Sequence, residues 1–97
     1  MERSNSSIIA VAWFRPEQWS DLQRLCPDLD DTYQEWLAKA EAAIEVLERS
    51  AEHQVVKIVL TVDLLRRWKR ATGRKVDSKA RSSLAANIAA QNHRASH

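Results

Sequence analysis

Two short runs of this chain are built from strand-forming residues, and the stretches between and after them from helix-forming ones. Ile8-Ile9-Ala10-Val11-Ala12-Trp13-Phe14 is continuously apolar and rich in β-branched and aromatic side chains. That pattern suits a strand covered on both faces better than one alternating between core and water. Gln54 to Leu60, interrupted only by Lys57, is the second such run. A sheet of two strands is marginal by itself, so helices must cover it or a second subunit must extend it.

The helices announce themselves through their ends. Pro16 suits a first helical position, where its missing N–H is one of the orphan donors, and Glu17 complements the positive helix end. A helix is predicted from Pro16 to Cys26 with Trp19, Leu22 and Leu25 or Cys26 inward, stopped by Pro27. Asp30 or Asp31 is placed to cap the next helix, with Gln34 at an approximate capping-box spacing. Tyr33, Trp36, Leu37, Ala40, Ile44, Leu47 and Ala51 recur at intervals of three and four, and that helix is placed from Thr32 to Ser50. Thr61 caps a third helix with Val62, Leu65 and Trp68 inward, which ends at Gly73, the only glycine in the chain. A fourth starts at Asp77 or Ser78 with Ala80, Leu84 and Ile88 inward.

The two halves therefore share an order. Phe14 followed by Arg15 to Asp31 aligns with Leu60 followed by Thr61 to Asp77 at an offset of 46 residues, strand end on strand end and acidic cap on acidic cap. The match is one of pattern, since Arg24 with Arg70 and Asp31 with Asp77 are its few identities. The predicted fold is α+β, a helix-dominated βααβαα arrangement in which four helices cover a two-stranded sheet that dimerisation can extend. Its 97 residues fit one domain. We expect that domain over residues 8–91, a disordered N-terminus over 1–7 and a flexible tail over 92–97.

Charge is distributed unevenly. Residues 1–60 hold six Lys or Arg against eleven Asp or Glu, a net −5, whereas residues 61–97 hold nine against two, a net +7. Such polarity suits a nucleic-acid or acidic-protein surface on the second half, attraction between halves or copies, or simply solvated helix faces. The single Cys26 cannot form an internal bridge, which favours a reducing, cytoplasmic setting. The apolar run at 8–14 is too short to span a membrane and lacks a cleavage site.

Catalytic chemistry finds little support. One glycine cannot build a dinucleotide turn or a phosphate loop. Cys26, His53, His93 and His97 lack the paired spacings of zinc sites. Cys26 with His53 could be written as nucleophile and base, yet Cys26 falls on an apolar stripe at a helix C-terminus, where the dipole opposes a thiolate. Asp28, Asp30 and Asp31 could serve a cation or acid–base work, and turn formation and capping account for them as well. No enzyme activity and no cofactor are expected.

The segments Val11-Ala12-Trp13-Phe14-Arg15-Pro16-Glu17-Gln18-Trp19 and Leu29-Asp30-Asp31-Thr32-Tyr33-Gln34-Glu35-Trp36-Leu37, followed by Val55-Val56-Lys57, resemble a group of short bacterial proteins. The likeness spans residues 8–84 and implies a bacterial, cytoplasmic, single-domain protein. It brings no activity and no functional residue with it.

Two binding sites are expected from the residues themselves. Arg15, Gln18 and Tyr33 place polar groups beside Trp13, Trp19 and Trp36, a combination that can form a recognition pocket or a partner hot spot. The expected function is accordingly a small non-catalytic interaction or regulatory module, self-associating as a homodimer or binding another protein. The alternative is a nucleic-acid-binding module in which Arg66, Arg67, Arg70 and Lys79 contact phosphates. It would be either a ribbon-helix-helix with Lys57 on its strand or a helix-turn-helix exposing Ser78, Lys79, Arg81 and Ser82.

Overall fold

The computed structural model describes residues 7–50 and 53–95. Strand β1 (Ser7–Trp13) leads through a 3-10 turn at Pro16–Gln18 into α1 (Trp19–Leu25) and then α2 (Tyr33–Glu48). Strand β2 (His53–Val59) is followed by α3 (Val62–Thr72) and α4 (Ser78–Ala95). The fold is the expected α+β arrangement, four helices around one small sheet. Residues 1–6 of the expected N-terminal segment, and the end of the expected tail, lie outside the described residues.

The two strands run parallel, pairing Ser7 with His53 through to Trp13 with Val59. Every pair is separated by 46 positions, so the offset at which the halves align in sequence is also the register of the sheet. Each βαα unit lays its strand beside its counterpart. Side chains alternate across the strands. Trp13 meets Trp36 of α2 on one face, ring centroids 4.9 Å apart. Ile8, Ala10, Val56 and Ile58 on the other face line hollows with Ala86, Ala89 and Asn92 of α4. The sheet is thus a middle layer between α2 and α4.

The core lies at the carboxyl ends of the strands, where α1 and α3 close the sandwich. Leu22, Leu60 and Leu65 are fully buried there beside Phe14, Trp19, Cys26 and Val76. Each fully buried leucine contributes about 1.5–3 kcal/mol of apolar burial.

Several local details depart from expectation. The first helix is split, because the amide hydrogen bonds at Pro16–Gln18 follow the tighter 3-10 pattern before α1 begins. The cap of α2 is Thr32, not Asp30 or Asp31. Its hydroxyl accepts from Glu35 N at 3.1 Å while Glu35 Oε1 accepts from Thr32 N at 3.2 Å, a full capping box one residue later than the Asp31–Gln34 spacing. Asp30 and Asp31 instead turn the chain, their carbonyls accepting from Gln23 Nε2 at 3.0 and 2.8 Å. Helix α4 continues to Ala95, past the expected end at Gln91, as its alanine-rich sequence favours. Thr61 and Asp77 cap α3 and α4 as anticipated, and Gly73 ends α3 in the left-handed conformation with φ 68°.

Candidate functional site

Five aromatic rings converge where β1 meets α1 and α2. Trp36 lies 4.9 to 5.8 Å from Trp13, Phe14, Tyr33 and Trp19, and Trp19 is 5.5 Å from Tyr33. Lys57 adds an ammonium 4.3 Å from the Trp13 centroid, from the strand position diagonal to it. The polar residues expected to border these rings face the chain itself. Gln18 Oε1 accepts from Val62 N at 3.0 Å, satisfying an orphan donor at the start of α3. Tyr33 Oη donates to Phe14 O at 3.2 Å. Arg15 is exposed, and only its backbone carbonyl, which accepts from Gln18 N, takes part in the turn. The structure brings Gln18 and Tyr33 onto the aromatic cluster as bracing groups. The indole N–H of Trp19 is buried within it without an acceptor among the described residues.

A second cluster lies under Phe14. Arg81 is only 7% exposed, which corrects the expectation that it stands on an outward helix face. Its Nη1 donates to Asp28 Oδ1 at 2.7 Å and to Val76 O at 3.0 Å, and its guanidinium carbon is 5.9 Å from the Phe14 centroid. The physical reason is pairing: Asp28, from the acidic half, neutralises the charge, and a long arginine stem packs well inside. Asp28 Oδ2 also accepts from Ser78 N at 2.8 Å, tying the start of α4 to the α1–α2 turn. Burial opposes ionisation of Asp28, but the Arg81 hydrogen bond, the Ser78 amide and the arginine's charge outweigh it and hold the carboxyl below its ordinary range. Next to this pair, burial pushes the Cys26 thiol up, only partly offset by Arg81.

The carboxylates considered for a cation are therefore engaged separately. Asp30 Oδ1 accepts from Lys39 Nζ at 2.6 Å, while Asp28 faces Arg81. Among the described residues no group of three His, Cys, Asp or Glu side chains is placed to hold a metal ion. Cys26 and His53 sit at opposite ends of the sheet, separated by a strand length on the order of 20 Å. The side chains of His93 and His97 lie outside the described residues.

The open edge of β1 was not anticipated in detail. Trp13 O accepts from Leu60 N at 2.9 Å, so the backbone of Trp13 points toward β2. Because backbone groups alternate sides along a strand, Ile9 and Val11 point the same way. Ile8, Ala10 and Ala12 then direct their N–H and C=O groups away from the sheet. That edge runs along a groove between the two flanking helices. At one end, a hollow of about 320 Å³ is lined by Ala10, Ala12, Trp36, Lys39, Arg81 and Ser82, among others. At the other, about 240 Å³ is lined by Ile8, Ala10, Ala86, Ala89 and Ala90. Ile8 is 43% exposed. Alanines give a weak sequence signal, being equally at home in a thin helical stripe.

Most basic residues of the second half are exposed. Arg66, Arg67 and Arg70 are exposed on α3, Arg74 and Lys75 on the following loop, and Lys79 on the first turn of α4. Among the described residues no helix is long and apolar enough to cross a membrane. No family model, curated protein or solved structure matches the chain.

Proposed function

We propose that this protein is a small non-catalytic interaction module that works as a homodimer, two copies joining through the open edge of β1. The carrying observation is the outward row of backbone groups at Ile8, Ala10 and Ala12, set in a groove between α2 and α4. An uncharged edge strand is an association hazard that folded proteins normally blunt with charges, prolines or a covering element. Residues 7–13 carry no charge and no proline, whereas β2 carries Lys57. A second β1, antiparallel about a two-fold axis, supplies the missing hydrogen bonds and uses up both β1 edges, leaving at the ends of the sheet only the β2 edges, which carry Lys57. The alanines at 10, 86, 89 and 90 along one hollow, and Ala12 in the other, leave room for that strand. Four strands under the eight helices of two copies also relieve the marginality of a two-stranded sheet.

Binding rather than catalysis is supported by the state of the reactive groups. Asp28 and Asp30 face cations, and the Cys26 thiol is buried and raised away from its nucleophilic form. A lone buried thiol also suits a reducing cytoplasm.

Mass measurement in solution tests the proposal. Light scattering coupled to size exclusion is expected to return twice the 11.1 kDa of one chain. Ala10→Pro removes an outward N–H and leaves the β1–β2 ladder intact, and Ile8→Lys adds a charge at the exposed edge. Both are expected to give folded monomers by circular dichroism. A wild-type monomer across the accessible concentration range, or an unchanged mass in both variants, overturns it.

A further inference from the structure

The β1 edge leaves the exposed cations around the α3–α4 junction without a role. We infer that this surface binds single-stranded nucleic acid, with phosphates on Arg66, Arg67, Arg70, Arg74, Lys75 and Lys79 and a base against Trp68. None of these six cations forms an ion pair among the described residues, although ion pairs elsewhere link Arg24 to Asp21, Lys39 to Asp30, Arg49 to Glu45 and Arg81 to Asp28. The acids that could neutralise them are scarce. Residues 61–97 contain only Asp63 and Asp77, and Asp77 Oδ1 already accepts from Ala80 N at 2.8 Å. The charge excess of the second half is thus exposed on α3, the α3–α4 loop and the first turn of α4, and left open to a polyanion.

The shape of the face selects among polyanions. Trp68 is half-buried and lines a cleft of about 250 Å³ together with Arg74, Lys75, Lys79, Ser83 and one carboxylate, Asp77, whose Oδ1 accepts from Ala80 N. An aromatic wall flanked by cations suits a stacked base with its phosphates alongside, the arrangement by which proteins bind single strands with little sequence preference. Guanidinium groups predominate, and their planar fork matches phosphate oxygens. A membrane surface fits less well. Interfacial helices bury an apolar face in lipid, but the apolar side of α3, with Val62 and Leu65, is committed to the core. The only large hydrophobics exposed among the described residues are Ile8 and Val46, neither of them in this region. The cleft is also separate from the β1 groove. Ser78, Arg81 and Ser82 of α4 face the groove, whereas Lys79, Ala80 and Ser83 face the cleft.

Fluorescence anisotropy with a labelled single-stranded oligonucleotide, titrated with the full chain at increasing salt, tests the inference. Single-strand binding weakens with a log–log salt slope of roughly −0.7 for each phosphate neutralised, so six cations set a limit of about −4. Neutralising three of them together (Arg67→Gln, Arg70→Gln, Lys79→Gln) is expected to flatten the slope by about 2, in a variant that keeps the wild-type circular dichroism spectrum. An abasic strand of equal length should bind more weakly than the intact one. Several results would overturn the inference: no binding at low salt, an unchanged slope in the triple variant, or equal binding of the abasic strand. Binding of polyglutamate or phosphatidylserine vesicles as tight as that of the oligonucleotide would overturn it too. The Ala10→Pro monomer separates this site from the dimer interface, since a single chain carries the whole cleft.

Discussion

Asp28→Ala removes the carboxylate that faces Arg81 and leaves a guanidinium, 7% exposed, with Val76 O as its remaining hydrogen-bond acceptor. A hydrogen bond to a charged group contributes about 1.5–3 kcal/mol. Loss of the acceptor for Ser78 N at the start of α4 adds about 1 kcal/mol, by analogy with removal of a helix cap. The Asp28 side chain is 40% exposed, so water replaces part of what is lost. The expected cost is therefore about 3 kcal/mol, at the lower end of what breaking one side of a buried pair costs. Urea unfolding followed by tryptophan fluorescence measures it as a lowered midpoint at constant slope. The double variant Asp28→Ala, Arg81→Met removes the orphaned charge as well, and should recover stability relative to Asp28→Ala alone. A loss below about 1 kcal/mol for the single variant, or additive losses in the double, refutes the assignment of Arg81 as a buried charge dependent on Asp28. The pH dependence has a fixed sign. Because the folded-state pKa lies below the ordinary 3.8, the stabilisation is fully present above that value and is lost as pH falls through the depressed one. Asp28→Asn should flatten that acid limb of the stability curve.

Gln18→Ala leaves Val62 N without its side-chain acceptor and should lower stability by about 1 kcal/mol in the same denaturation assay, whereas a change in partner binding with unchanged stability would restore a recognition role to Gln18. Gly73→Ala should cost about 1 kcal/mol in calorimetry. A methyl there meets nothing within 4 Å, so the penalty is one of backbone conformation at φ 68° alone. Cys26, buried with its thiol pushed up, should react with a thiol reagent far more slowly in the folded protein than in urea; equal rates would contradict its place in the core.

The elements were legible because each carries its own punctuation. Pro16, Pro27, Thr61, Gly73 and Asp77 mark helix ends by local chemistry, and the two apolar runs are too β-branched and too short for helices. The shared offset of 46 coincides with the sheet register, since two like units laid side by side pair their strands in step, but the sequence pattern alone leaves open whether the strands run parallel. What local pattern does not encode is long-range pairing. Arg81 read as exposed because arginine usually is, although positions 81, 85 and 88 share a helix face and hinted at burial. Nothing in the neighbourhood of Gln18 announces that its amide will meet the amide of Val62, 44 residues on. The groove escaped notice for another reason: it is made of backbone and alanine, which have no distinctive sequence signature.

Backbone hydrogen exchange, resolved residue by residue, addresses the β1 edge most directly. If two copies pair there, amides of Ala10 and Ala12 exchange slowly at high protein concentration and lose protection on dilution, while those of Val11 and Trp13, directed at β2, stay protected throughout. Rapid exchange at Ala10 and Ala12 at every concentration, with Val11 and Trp13 still protected, would mean that the edge faces water and the chain acts alone.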